Sequence, residues 1–239
     1  MRVQSKLLSK RKFLFLCRHG NTFEKGQPTY IVGCNEDLPL TEEGERQAEE
    51  LGEVLAQSDL GSHALSIRCG KLSRTKRYAE ILSKKINLGG STLNIEGDSL
   101  LTELDYGSWS GKTAKELEQE GFKEALKSWD EFALWPVNTG FKPEEQQVGL
   151  EITKLLHDQA KRDQTALFVT SNGRLKFFHR VISSQSSVTS PKMTTGACSL
   201  VEFHDNSWKI LFWNLKRDEL RSALNLLRKR APWELLLKP

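Results

Sequence analysis

Residues 13–22 read FLFLCRHGNT, a short apolar run that passes directly into the polar turn Arg18-His19-Gly20. A run of this kind, bounded by a glycine-containing turn, is typical of a buried strand that ends in a functional loop. Residues 165–173 read TALFVTSNG and repeat the arrangement, with Ser171-Asn172-Gly173 after the strand. Because open α/β sheets bind ligands at the carboxyl ends of their strands, we expect both loops to open onto one face.

Helical and extended patterns alternate along the rest of the chain. Thr41 is a good N-cap for the apolar stripe that follows it, and Thr113 with Glu116 forms a capping box. The predicted helices are 41–56, 73–85, a short one from about 114, 123–135, 144–161 and one that ends at Ile182. Further strands are predicted at 64–69, 197–203 and 207–213, the last two joined by an Asp205-Asn206 turn. This order predicts an α/β fold, a three-layer α/β/α sandwich with a mainly parallel central sheet.

The size and charge of the chain limit its class without identifying its ligand. It has 239 residues and a formal net charge of +4. There is no internal repeat or low-complexity linker, and α/β folds of this length are often single domains. We therefore expect one domain over residues 1–239, with a core at about 13–213 and a basic helical tail at about 215–239. The mild positive charge suits an anionic substrate as well as it suits nucleic acid.

Cysteine usage and hydropathy bear on where the chain works. Cys17, Cys34, Cys69 and Cys198 have no CxxC spacing and no nearby pair of histidines, so neither a disulfide framework nor a zinc site is expected. The apolar run at 13–17 is too short for the core of a signal peptide. No stretch approaches the length of a membrane span. We expect a cytoplasmic location.

An anion pocket is predicted where the two strand-end loops meet. Arg74 lies in the first turn of the helix that follows the strand at 64–69, so it can point to the same face as Arg18 and His19. Two arginines that converge on one histidine, beside helix N-termini, make a binding site for an anion. Histidine is a competent nucleophile near neutral pH, and cationic stabilisation supplies much of the catalysis of phosphoryl transfer.

An alkoxide that leaves a phosphate ester needs a proton, which calls for a nearby carboxyl group. Glu103 is the natural candidate for this general acid, with Asp105 as its competitor two residues later. No metal or other cofactor is required, because the arginines supply the charge that Mg²⁺ supplies elsewhere.

Four stretches resemble motifs of the histidine phosphatase superfamily, also called phosphoglycerate mutase-like. They are 16–22 (LCRHGNT), 33–44 (GCNEDLPLTEEG), 70–75 (GKLSRT) and 103–111 (ELDYGSWSG). All four follow the family's order and spacing. The resemblance implies a phosphoglycerate mutase-like fold and a phosphohistidine on His19. It also implies that Arg18 and Arg74 bind the phosphoryl oxygens and that Glu103 protonates the leaving group.

The chain departs from the family pattern at two places. The final loop of most members reads serine-histidine-glycine, whereas this chain has Asn172 in the middle position. We expect Asn172 to stand in the place of the second histidine as a phosphate-binding residue. An asparagine amide can still donate a hydrogen bond to a phosphoryl oxygen, although it brings no charge. The second departure is at 24–26, where Glu-Lys-Gly replaces an asparagine that the family commonly uses.

The function that the resemblance favours is hydrolysis of a phosphate monoester, which makes the chain a histidine-type phosphatase. The sequence LDYGSW after Glu103 is absent from glycolytic mutases of the superfamily and indicates the phosphatase branch. Two alternatives stay open: a phosphomutase of the same superfamily, and a catalytically weak regulatory protein that binds a phosphorylated ligand. The catalytically weak alternative is supported by Asn172, which stands where most family members have a histidine.

The expected partner is a small phosphorylated substrate, while nucleic acid is not expected. Its identity is not specified by the sequence, and selectivity is expected to lie in residues 21–36 and 121–147. The leucines of the tail indicate that it packs on the body of the protein or on a second subunit, so a homodimer is one possibility. These leucines are Leu224, Leu226, Leu227 and Leu235–Leu237.

Overall fold

A six-stranded sheet forms the centre of the computed structural model, which describes residues 11–58, 65–86, 93–183 and 190–230. The strands are β1 (Lys12–Arg18), β2 (Leu65–Cys69), β3 (Ile95–Gly97), β4 (Thr165–Thr170), β5 (Cys198–His204) and β6 (Ser207–Leu215). They lie in the order β3-β2-β4-β1-β5-β6. β3, β2, β4 and β1 are mutually parallel, whereas β5 runs antiparallel to β1 and β6 antiparallel to β5. The predicted mainly parallel sheet is confirmed.

Helices cover both faces of this sheet. They are α1 (Glu42–Ala56), α2 (Ser73–Ile86), α3 (Ala114–Gln119), α4 (Lys123–Phe132), α5 (Glu145–Ala160), α6 (Asn172–Ile182) and α7 (Arg217–Arg230). One buried apolar cluster joins the sheet to α1, α2 and α7 through residues such as Leu55, Leu82 and Leu220. The other joins it to α4, α5 and α6 through residues such as Leu155 and Phe178. The predicted three-layer sandwich is therefore confirmed.

Local sequence signals account for most of the boundaries. The Thr41 side chain accepts a hydrogen bond from the Gly44 N–H at 3.1 Å as the N-cap of α1, and the capping box of Thr113 and Glu116 opens α3. The turn between β5 and β6 places Asp205 and Asn206 at φ values of 50° and 59°, as its residue types predict. These predictions are confirmed.

The structure differs from the sequence expectations in one helix end and in one strand that was not predicted. The helix expected over 123–135 ends at Phe132, because Ala133 adopts a left-handed conformation with φ 54° and its N–H bonds back to carbonyls of the last turn. The short edge strand β3 was not predicted. Its three residues pair with β2 alone, and so short a run cannot show the alternation of apolar and polar residues that predicts a strand.

The tail predicted at about 215–239 is helical from Arg217 to Arg230 (α7), whereas Leu215 still belongs to β6. Leu224 of α7 is buried and Leu227 packs against the same apolar cluster, so this part of the tail lies on the body of the protein. Leu226 is exposed. Residues 231–239, with Leu235–Leu237, and Ala64 of the strand predicted at 64–69 lie outside the described residues. Among the described helices, none combines the length and the apolar character that crossing a bilayer requires.

The stretch 33–44 fixes the first turns of α1 and α2 near the carboxyl edge of the sheet. Asp37 Oδ1 accepts hydrogen bonds from the backbone N–H and the hydroxyl of Ser73, each at 2.7 Å, and so holds the first turn of α2. Thr41, besides capping α1, donates its backbone N–H to the Asn21 carbonyl at 2.9 Å. The motif therefore ties α1 and α2 to the loop that follows β1.

Gly20 and Gly44 allow that loop and α1 to meet backbone to backbone. A Cβ added at Gly20 would lie 2.3 Å from the Gly44 carbonyl oxygen, and one added at Gly44 would lie 2.3 Å from the Asn21 carbonyl oxygen. The atoms nearest to each added Cβ are backbone atoms, so no flexible side chain could move aside to make room. The contact therefore requires glycine at both positions.

We expect Gly44→Ala to destabilise the protein by about 1–3 kcal/mol, because the new methyl group must displace backbone. Gly149→Ala is the matched control, since Gly149 is also helical and has nothing within 4 Å of its added Cβ. The free energy of unfolding of Gly149→Ala is expected to rise by up to about 1 kcal/mol, because alanine has a higher helix propensity than glycine. Urea unfolding of both variants gives the comparison, and changes of the same sign and size would contradict the proposed contact.

Candidate active site

Three strand ends meet at the carboxyl edge of the sheet. The His19 N–H, just past β1, donates to the Thr170 carbonyl at the end of β4 at 3.1 Å. The Gly70 N–H, just past β2, donates to Val169 of β4 at 3.0 Å. The Thr170 hydroxyl donates to the Leu101 carbonyl at 2.6 Å, which draws the segment before Glu103 over the same edge. As the sequence predicts, the loops open onto one face.

His19 is buried, with 6% of its surface exposed, and its ring is fixed in one tautomer. Nδ1 lies 2.8 Å from the Gly20 carbonyl oxygen, which can only accept, so Nδ1 carries the hydrogen. Nε2 is therefore the nitrogen with the free lone pair. Burial, and after it the charges of Arg18 and Arg74, lower the pKa of His19 to about 3, against an opposing effect of the Gly20 hydrogen bond. The imidazole is neutral at neutral pH.

Arg74 is buried in the first turn of α2, with 2% of its surface exposed. Its guanidinium donates to the Gly33 and Glu36 carbonyl oxygens, both at 3.0 Å. These partners orient the group but carry no formal charge. The positive charge of Arg74 therefore remains available to an anion in the pocket.

Arg18 is half-buried at the end of β1 and is held in a similar way. One Nη atom donates to the Met193 carbonyl, while the buried Nε has no hydrogen-bond partner among the described residues. Burial lowers the pKa of Arg18, Glu103 counteracts this, and Arg74 lowers the pKa further. Two cations thus lie close enough to repel each other beside His19, an arrangement that an anion would relieve.

Glu103 is buried and its carboxyl group is held at both oxygens. Oε1 accepts the Leu104 N–H at 2.9 Å and Oε2 accepts the Gly173 N–H at 3.2 Å, which joins the segment after β3 to the first turn of α6. Asp105, the competitor, instead accepts the Gly107 N–H at 2.8 Å and stabilises a turn. The contacts favour Glu103 over Asp105 as the carboxyl group of the pocket.

Asn172 is the first residue of α6 and its amide has a defined orientation. Oδ1 accepts the Met193 N–H at 3.0 Å. Within the described part of the chain, no acceptor is found for Nδ2. The side chain can therefore present an N–H donor at the N-terminus of a helix, where an anion is also favoured by the backbone.

The loop 193–196 contributes to the pocket and was missed by the sequence analysis. Met193 binds Arg18 through its carbonyl and Asn172 through its N–H, and the Gly196 N–H donates to the His19 carbonyl at 3.1 Å. The loop reaches the pocket because β5 is antiparallel to β1, so the start of β5 lies beside the end of β1. The residue pattern does not reveal strand direction, and no local signal would have found this loop.

The turn at 24–26, where the family commonly has an asparagine, is exposed. Gly26 has φ 89°, and the Gln27 N–H donates to the Glu24 carbonyl at 3.1 Å. The four cysteines are free thiols. Across the described ranges, no group of three or more His, Cys, Asp or Glu side chains could hold a metal ion.

The pocket therefore combines a neutral buried imidazole, two guanidinium groups, an amide donor and a buried carboxyl group. The imidazole has an available lone pair, and the donors match an anion with several oxygens. This set of groups is suited to phosphoryl transfer.

Comparison with known proteins agrees with this chemistry. The family model described as histidine phosphatase superfamily (branch 1) matches residues 14–216. A probable phosphoglycerate mutase, GpmB, of Salmonella paratyphi C is 36% identical over 115 residues, which cover 47% of this chain and 48% of that protein. The chain thus spans about half the length of the curated relatives it matches.

Solved structures share the fold. Phosphoglycerate mutase from Bacillus anthracis superposes with a TM-score of 0.70 at 15% identity, over 91% of this chain and 98% of the other. A mycobacterial glucosyl-3-phosphoglycerate phosphatase gives a TM-score of 0.69 at 18% identity, over 87% of this chain and 100% of the other. At these identities the likeness concerns the fold alone.

The low pKa of His19 predicts a specific dependence of stability on pH. In the unfolded chain the imidazole takes up a proton below its ordinary pKa of 6.5, whereas in the folded protein it stays neutral down to about 3. Stability is therefore lost as the pH falls through this range. Between pH 7 and pH 5 we expect the native protein to lose about 2 kcal/mol of unfolding free energy relative to His19→Gln. Chemical unfolding at both pH values measures this, and parallel losses in the two proteins would contradict it.

Proposed function

Because the chain belongs to the histidine phosphatase superfamily, we propose that it hydrolyses a small phosphate monoester through a phosphohistidine on His19. One observation carries the proposal. The imidazole is neutral, its hydrogen is on Nδ1, and it lies beside two arginines that are bound to backbone carbonyls. That combination provides a nucleophile and the charge that a phosphoryl group needs.

In the first step His19 Nε2 attacks phosphorus and the ester oxygen leaves. Arg18, Arg74 and the Asn172 amide bind the phosphoryl oxygens and stabilise their charge. Glu103 gives its proton to the departing oxygen, so that an alcohol leaves instead of an alkoxide. The enzyme then holds an N–P bond on His19 and a Glu103 carboxylate.

In the second step water attacks the phosphohistidine. The Glu103 carboxylate accepts a proton from the water, the N–P bond breaks, and the electron pair returns to Nε2. Inorganic phosphate leaves, and both His19 and Glu103 return to their initial states. No metal takes part in either step.

A phosphomutase is the second candidate, favoured by the name of the 36% identical Salmonella relative. The two activities differ in what attacks the phosphohistidine, which is water in a phosphatase and a substrate hydroxyl in a mutase. Release of inorganic phosphate from a monoester, compared with movement of the phosphoryl group between hydroxyls, separates them. The sequence ELDYGSW at 103–109 supports the phosphatase.

We expect His19→Ala to reduce phosphate release by at least about 10⁴-fold, because no other group replaces the nucleophile. Acid-labile phosphate should be trapped on the native protein by quenching during turnover and be absent from the variant. Circular dichroism checks that the variant is folded. Undiminished hydrolysis by a folded His19→Ala protein would end the proposal.

Asn172→Ala should reduce turnover by about 10²–10³-fold if the amide binds the phosphoryl group in the transition state. Asn172→Asp should be slower still, because a carboxylate can keep the Met193 bond but places a negative oxygen where the Nδ2 donor was. Asn172→His should also be slower than the native protein, since the ring does not reproduce the amide geometry. Turnover and inhibition by inorganic phosphate are measured for all four forms. An alanine variant as active as the native protein would make Asn172 a turn residue only.

A further inference from the structure

Tyr106 lies three residues after Glu103, and its ring is fixed among other aromatic residues. It is buried, with 5% of its surface exposed. The ring makes edge contacts with Phe141 and Trp129, at centroid distances of 5.0 Å and 6.2 Å. The hydroxyl group therefore has a defined position.

That hydroxyl faces the Glu103 carboxyl group across Gly173. A Cβ added at Gly173 would lie 2.4 Å from the Tyr106 hydroxyl oxygen and 2.5 Å from Glu103 Oε1, so both atoms border the same small space. Burial raises the pKa of Tyr106 well above its ordinary value, and the neighbouring Glu103 carboxyl group raises it further. The phenol consequently keeps its proton over the whole working range of an enzyme.

The hydroxyl differs in kind from the other partners of Glu103. Leu104 and Gly173 offer backbone N–H groups, which can only donate to the carboxyl group. A phenol can donate to a carboxylate and can also accept from a carboxylic acid. Of the partners that the structure describes, Tyr106 is thus the one that suits both protonation states.

We propose that Tyr106 is a positioning residue for Glu103, whose hydroxyl orients the carboxyl group and sets the pH range over which it delivers a proton. The proposal rests on the proposed function, in which Glu103 is the general acid. Tyr106 itself touches neither the phosphoryl group nor the leaving group in this scheme. Its effect reaches the reaction through Glu103.

Other charged groups face this pair, and a Tyr106→Phe change leaves them all in place. Arg18 at the end of β1 and Asp130 of α4 both act on Tyr106. Asp130 is itself paired with Lys176 of α6 at 2.9 Å and with Lys192 at 2.7 Å. Arg174 of α6 donates to the carbonyl of Thr102, beside Glu103, at 2.7 Å.

The test compares Tyr106→Phe with Tyr78→Phe, since each change removes one buried hydroxyl and nothing else. Tyr78 is fully buried in the apolar cluster on the other face of the sheet and donates to the Gln47 carbonyl at 3.4 Å. The kcat and KM of each protein are measured against pH with an alkyl phosphate and with p-nitrophenyl phosphate. Glu103→Gln provides the reference for complete loss of the acid.

For the alkyl phosphate we expect Tyr106→Phe to lower kcat/KM about tenfold, because this ratio reports formation of the phosphohistidine, in which a poor leaving group depends on the oriented acid. The alkaline limb of its kcat/KM profile should move to higher pH, since the carboxylate loses a neighbouring hydroxyl that can donate to it. With p-nitrophenyl phosphate, whose phenolate leaves unaided, kcat/KM should stay within about twofold. Tyr78→Phe should match the native protein in every respect.

Equal losses of kcat/KM on both substrates, or a kcat/KM profile against pH that matches the native one, would overturn the positioning role. So would a Tyr78→Phe variant that behaves like Tyr106→Phe, which would show a general effect of removing a buried hydroxyl. Failure of the proposed function gives a different result, namely turnover that does not depend on His19 or a Glu103→Gln variant with normal activity on the alkyl phosphate.

Discussion

The placement of Arg18 and Arg74 beside a buried His19 is the constraint on which the rest of the pocket depends. Each guanidinium is bound by backbone carbonyl oxygens, from Met193 for one and from Gly33 and Glu36 for the other. Carbonyl partners hold an arginine in place without neutralising it, so the pocket keeps the charge that it needs for an anion. Burial, and after it the same two charges, keeps the neighbouring histidine neutral. The two arginines thus favour an anion in the pocket and also contribute to the neutral state of His19.

Most of the fold could be predicted because its signals are local. Apolar strand runs and capping residues such as Thr41 and Thr113 act over a few residues, and the structure confirms them. The end of α4 at Phe132 could not be predicted from the sequence, because it depends on a left-handed conformation at Ala133 that alanine rarely adopts. The edge strand β3 is defined by its neighbour β2 more than by its own residues.

The pocket was predictable only in part. The strand-end loops and Arg74 followed from the rule that parallel strands share a carboxyl edge. The contacts that orient these groups come from elsewhere in the chain. The Met193 peptide reaches Asn172 from 21 residues away, and the Gly173 N–H reaches Glu103 from 70 residues away. Such contacts depend on strand direction and packing, which residue patterns do not specify.

The contact between Gly20 and Gly44 has a consequence for how such an enzyme can diversify. Backbone meets backbone there, so no side chain can be introduced at Gly20 or Gly44 without moving the loop after β1 or α1. Residues 24–26 form an exposed turn, and Phe132 and Val137, near the end of α4, are exposed as well. Substitutions in these regions meet no comparable barrier. For the phosphatase proposed above, sequence change is therefore least hindered at these exposed segments and most hindered where the loop after β1 meets α1.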